Sequence, residues 1–172
     1  LFLSKKLLTI FRYYHNIKYR VGDNISFSER ELLARLIMCE AGGEGENGMK
    51  AVASVVMNRV NSSTGEYFRI SQGGNIRNII FQAGQFNCAT DTLKGAYNAQ
   101  NIYNMSPSDI HYYIADWALS GNNLNEVGNC LWFMNPFKPT CPKEFPYNGT
   151  GSLHTRIINH CFYSPTSIYS TT

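Results

Sequence analysis

The 172-residue chain is 44% hydrophobic, 16% charged and carries 23 aromatic residues, against roughly 25% charge in an ordinary soluble domain, which excludes intrinsic disorder. Its 14 glycines follow no triplet period, no repeat recurs at 20–50 residues, and no apolar run nears the roughly 18 residues of a membrane helix. The net charge of +3 is uneven: residues 1–30 hold six Lys or Arg and two acids, and residues 31–172 hold nine against ten, so the body has no nucleic-acid footprint and no nucleic-acid partner is expected.

The basic excess lies in residues 1–26, from Lys5-Lys6 through Arg12 to Lys18 and Arg20, with Asp23 as the single acid. This segment is expected to be an N-terminal arm that localises the protein on an anionic surface, whether membrane, polyanionic polymer or partner protein, the alternative being a solvated leader. A first residue of Leu fits removal of an initiator or targeting segment. The folded body is expected to occupy residues 27–172.

That body opens on a strong helix start. Ser28 and Glu31 have capping-box spacing, with Phe27 and Leu32 as a hydrophobic staple. The spacing predicts a helix from Glu29 to about Ala41, with Leu32, Leu33, Leu36 and Ile37 on its core side and Gly42-Gly43 as the stop. A second helix is expected from about Asn47 to Val60, buried through Val52, Val55, Val56 and Val60. The polar segment 61–74 reads as a surface loop, 76–81 as a short apolar segment, and 82–86 as a turn centred on Gly84. Ser106-Pro107-Ser108-Asp109 starts a third helix running to Leu119. Cys130 to Met134 reads as a strand, four of the six prolines between 136 and 146 mark an irregular loop, and 155–163 reads as short strands around Asn159-His160. Helices before strands predict an α+β fold with a small antiparallel sheet.

The five cysteines (39, 88, 130, 141 and 161) form no CxxC pair. Cys130 and Cys141 are candidates for a bridge, and Cys39 reads as a small buried hydrophobe. Glu40 stands out because it extends the Leu36–Ile37 stripe by one turn, which points its carboxylate into the body. Desolvation there favours the neutral form, as a general acid requires. The structural alternative is a helix-end Glu paired with Arg35 or Arg59.

The segments Leu33-Ala34-Arg35-Leu36, Glu40-Ala41-Gly42-Gly43-Glu44, Gly48, Ala51 to Val60, Ile79 to Phe86, Leu131 to Pro136 and Ile158 to Tyr163 resemble, in order, the catalytic domain of the SleB/CwlJ cell-wall hydrolases. These are the spore cortex-lytic enzymes of endospore-forming bacteria. The segment around Glu40 is also similar to the catalytic Glu region of resuscitation-promoting factors. The resemblance implies a lysozyme-like fold, cleavage of peptidoglycan glycan strands during germination, and an extracytoplasmic location in spore coat, cortex or wall. It looks more like the short CwlJ type than the longer SleB type. Gly42 stands where the family often has Arg, and Asn159 where it often has Gly.

The family further implies a lytic transglycosylase: Glu40 protonates the glycosidic oxygen, then takes the proton of the muramoyl 6-hydroxyl as that oxygen closes a 1,6-anhydro ring. Glu44 is then an orienting group, and Glu44, Gln85, Phe86, Asn135 and His160 are the candidate substrate-binding residues. Gln85 suits sugar hydroxyls or amides, Phe86 suits stacking on a sugar face, and Asn135 is equally a turn former. No cofactor, no bound metal and a monomer are expected. Two other readings stay open. One is a zinc amidase built from His111, His154 and His160, which lack an HExxH pattern; the other is a non-catalytic wall- or coat-binding module.

Overall fold

The computed structural model describes residues 27–172; the basic arm expected at 1–26 lies outside them. Helix α1 (Glu29–Ala41) starts where Ser28 Oγ accepts the Glu31 N–H at 3.1 Å. The expected capping box is only half made. The Glu31 carboxylate turns away to accept from Arg35 at 2.6 Å and from the Tyr112 hydroxyl. Arg35 in turn donates to the carbonyls of Ile102, Tyr103 and Met105, and its guanidinium covers the Phe27 ring at 4.1 Å. One ion pair therefore stitches the start of the first helix to a segment some 70 residues on.

Helix α2 (Gly45–Val60) follows at once. Leu32, Leu33, Leu36 and Ile37 of α1 and Val52, Val55, Val56 and Val60 of α2 are all buried. The expected stripes are the interior faces, and truncating such a Leu or Ile to Ala costs about 2–5 kcal/mol. The segment expected to be a loop at 61–74 instead contains α3 (Gly65–Ser71), and the apolar segment after it is α4 (Ile76–Ile80). Tyr67 is the reason: its fully buried ring packs 6.0 Å from Tyr169 and 6.1 Å from Trp132, anchoring a stretch whose local sequence is polar.

A two-residue hairpin, β1 (Thr92–Leu93) with β2 (Ala96–Tyr97), precedes α5 (Asp109–Leu119). Ser108 and His111 form a reciprocal capping box at the α5 start, and Ile114, Ala115 and Ala118 bury its inner side. None of these described helices is long and apolar enough to cross a membrane.

Strands β3 (Trp132–Met134), β4 (Gly151–Ile157) and β5 (His160–Pro165) form an antiparallel sheet in the order β3-β5-β4. Trp132 pairs with Tyr163 and Ile157 with His160, and a register shift at Leu153/Thr155 bends β4. The architecture is α+β, as the element order predicts. The disulfide joins Cys141 to Cys161, in place of the Cys130–Cys141 bridge considered from sequence. Cys130 faces the second core cluster beside Val55 and Phe162, whereas Cys141 sits in the loop that crosses β5.

Candidate active site

A cleft of about 650 Å3 lies between the helices and the sheet, and Glu40, Glu44, Gln85, Phe86, Asn135 and His160 all line it. Five separate segments thus deliver the six candidate residues to one place: the end of α1, the α1–α2 link, the turn at 82–86, the turn after β3, and β5.

Glu40, on the last turn of α1, is half-buried in the cleft floor. The Cys88 thiol donates to its Oε1 at 3.3 Å. Burial raises the Glu40 pKa above the ordinary carboxylate range, opposed by the Cys88 hydrogen bond and the charge of Arg59. A thiol is a weak donor, so among the described residues the carboxyl group has no strong N–H donor that would hold it ionised.

Glu44 has the opposite environment. Its Oε2 accepts the backbone N–H of Asn159 and its Oε1 accepts the Asn159 side-chain amide, both at 3.0 Å. His160 Nδ1 lies 3.6 Å from Oε2. Burial works against the charge, but these donors win and hold Glu44 below its ordinary pKa. A Cβ at Gly48 would come 2.3 Å from Glu44 Cβ, so glycine at 48 leaves the space in which the carboxylate folds back toward the β4–β5 turn. Asn159, where the family often has Gly, supplies an amide that glycine lacks. The two carboxyl groups are driven apart by environment, one toward the acid and one toward the anion.

The other candidates divide by how open they are. Gln85 is half-buried and its Oε1 accepts the Tyr67 hydroxyl at 3.0 Å. The Phe86 ring is only 3% exposed, between the Arg59 guanidinium at 5.2 Å and the Phe133 ring at 6.3 Å. It is wall rather than platform, because a stacking partner needs an open face. Asn135 Oδ1 accepts the Phe137 N–H at 2.8 Å, closing a turn at the rim. His160 is buried edge-on to Phe133, and burial lowers its pKa despite the nearby Glu44 carboxylate, favouring the neutral ring. The amidase ligand set does not assemble: His111 caps α5, His160 faces Glu44, and His154 Nε2 lies near Gly128.

Lining residues that the sequence did not single out include Arg59, Glu66, Tyr67 and Phe137. Arg59, on the last turn of α2, is buried beneath the cleft, with Nε donating to the Leu131 carbonyl at 2.6 Å and Nη1 without a hydrogen bond among the described residues. Glu66 and Tyr67 come from α3. The signal available for them was Tyr67, Phe68 and Ile70, three large apolar residues that a solvated loop has no need of. At the rim, Phe137 is 91% exposed with φ +52°, a conformation held by the Asn135 turn.

A family model described as Cell Wall Hydrolase matches residues 43–163, beginning three residues after Glu40. The chain is 33% identical over 141 residues to the cell wall hydrolase CwlJ of Oceanobacillus iheyensis, covering 81% of this chain and 89% of that protein. It is 28% identical over 137 residues to the cell wall hydrolase CwlJ of Bacillus subtilis, covering 80% and 85%. Among solved structures it resembles the catalytic domain of the germination-specific lytic transglycosylase SleB from Bacillus anthracis, with a TM-score of 0.57, 24% identity, and 84% and 100% of the two chains covered. The Bacillus cereus SleB catalytic domain gives 0.58 at 23% identity over 84% and 99%. These two share the fold.

Proposed function

Since the chain belongs to the SleB/CwlJ family of cell wall hydrolases, we propose that it cleaves the glycan strands of spore-cortex peptidoglycan as a lytic transglycosylase, with Glu40 as acid and then base. The observation that carries this reading is the asymmetry of the cleft: one carboxyl group pushed toward its protonated form and another fixed as an anion.

In this mechanism the Glu40 carboxyl proton passes to the glycosidic oxygen as its bond to C1 breaks. The muramoyl 6-hydroxyl then closes on C1 and returns its proton to the Glu40 carboxylate, so no water is consumed and the product carries a 1,6-anhydro ring. The Glu44 anion, with both oxygens already bonded to Asn159, favours the positive charge that develops at C1 without competing as nucleophile. Gln85 supplies amide contacts for the substrate, and the exposed Phe137 ring on the rim suits the apolar face of a sugar.

We also propose that residues 27–172 are the catalytic body of a monomer and that residues 1–26 hold it on an anionic spore-coat or wall surface. The Cys141–Cys161 disulfide suits an oxidising, extracytoplasmic setting.

The test is mass spectrometry of the products released from purified cortex. Anhydro-muramoyl ends are expected. New reducing ends would make the enzyme a hydrolase using Glu44 or Glu66 as second carboxylate, and free stem peptides would make it an amidase.

A further inference from the structure

Beside the acid sits a group of side chains that glycan cleavage does not call for. Cys39 and Cys88 are both free thiols. Cys39 is next to Glu40 on α1, and Cys88 lies on the one-turn helix Asn87–Ala89 that faces it. The Cys39 thiol donates to the Gln100 carbonyl at 3.4 Å and the Cys88 thiol to Glu40 Oε1 at 3.3 Å. Their Sγ atoms and a Glu40 carboxylate oxygen all lie within 4.8 Å of one another. Among the described residues this is the one cluster of three Cys, His, Asp or Glu groups at such spacing.

We propose that Cys39, Cys88 and Glu40 form a site for a thiophilic divalent cation of the zinc class, and that its binding silences the enzyme by taking the Glu40 carboxylate as a ligand. The silencing rests on the assignment of Glu40 as the acid; the binding does not.

The donor set fits such an ion. Zinc takes thiolates at about 2.3 Å and carboxylate oxygens at about 2.0–2.2 Å in a tetrahedron, so neighbouring donor atoms stand roughly 3.5–3.8 Å apart. Cys88 Sγ and Glu40 Oε1 are already 3.3 Å apart, and Cys39 Sγ lies within 4.8 Å of both residues' donor atoms. Two thiolates and a carboxylate supply three negative charges. A divalent cation cancels two and the buried Arg59, whose charge acts on Glu40, offsets the third. Without the ion, contact with Cys39, burial and the charge of Glu40 keep the Cys88 thiol protonated. On binding, both thiol protons leave to solvent as S–metal bonds form. The cleft gives entry to Glu40, and a water from the same side completes the tetrahedron.

The full chain is stripped with a chelator, its free thiols are counted, and it is titrated with Co(II), whose thiolate complexes give a charge-transfer absorption in the near ultraviolet. One equivalent per chain is expected to produce the band, and Zn(II) to erase it by displacement. In Cys39→Ala the cobalt affinity should fall by about tenfold or more, since losing even an outer-shell partner costs about 10–100-fold. Zn(II) at the concentration that fills the site should stop glycan cleavage by the parent, and chelator should restore it. Cys39→Ala should lose that sensitivity relative to its own metal-free rate. An absent band, a band unchanged in Cys39→Ala, or Cys39 and Cys88 found joined to each other would overturn the site. Activity that falls on chelation and returns with zinc would overturn the silencing. Because the spectrum is read without substrate, failure of the glycan-cleavage assignment would leave the binding result standing.

Discussion

At the scale of single residues, two glutamates four positions apart have their pKa values moved in opposite directions because different groups surround them. Glu40 ends an apolar stripe and, among the described residues, meets one weak donor, the Cys88 thiol. Burial, the larger influence, raises its pKa, so the protonated form needed to start the reaction persists to higher pH than for an exposed Glu. The thiol hydrogen bond favours the anion. Its removal in Cys88→Ala should therefore raise the Glu40 pKa further and move the basic limb of the rate profile to higher pH. A limb that stays in place or moves down would show that Cys88 does not act on the acid.

Stability follows the same signs. A group with a raised folded pKa contributes stability that is present below its unfolded pKa, about 4.3 for Glu, and lost as pH rises through the folded value. Glu40→Gln should then melt a few degrees above the parent at neutral pH, with the gap closing in acid. Glu44, whose folded pKa is lowered, contributes stability present above about pH 4.3 and lost as pH falls through its folded value. Glu44→Gln should melt below the parent at neutral pH. Thermal melts of both variants across pH check the pair, and parallel shifts would contradict it.

At the scale of elements, what could be read in the sequence was what local periodicity encodes. The Ser28 cap and the valine and leucine stripes sufficed for α1 and α2, and Pro107-Ser108-Asp109 marked α5. Segment 65–71 could not be read that way. Its helix is held from outside, by the Tyr67 ring between Tyr169 and Trp132, and no neighbour within its own window reveals that packing. The cleft divides likewise. Glu40 followed from the stripe that ends on it, whereas Arg59, Glu66 and Tyr67 reach the cleft through pairings of residues far apart in the chain. Cysteine pairing was illegible for the same reason, since Cys141 meets Cys161 only once the irregular loop crosses β5. That bridge closes a 20-residue separation around the loop bearing Pro146 and Asn148 of the cleft wall. Cys141→Ser with Cys161→Ser should lower stability by about 2–4 kcal/mol and raise KM more than it lowers kcat. Denaturant melts and steady-state kinetics on soluble glycan fragments check both parts.

At the scale of the whole molecule, the helical layer supplies Glu40, the β4–β5 turn supplies the Asn159 donors that hold Glu44, and the basic excess sits in residues 1–26, outside the described residues. If the arm localises and the body cleaves, deleting residues 1–22 should leave cleavage of soluble glycan fragments intact. It should also weaken retention on anionic wall material, most visibly at low salt, where screening beyond about 10 Å is least. A truncated protein that unfolds or fails on soluble fragments would make the arm part of the fold. The central claim, that Glu40 is the acid of glycan-strand cleavage, is tested most directly by the rate of cleavage of cortex fragments by Glu40→Gln, measured on protein shown by its melt to be folded. The predicted result is a loss of about 10²–10⁴-fold, with Glu44→Gln keeping a measurable fraction of the parent rate; a Glu40→Gln rate equal to the parent's would contradict the account.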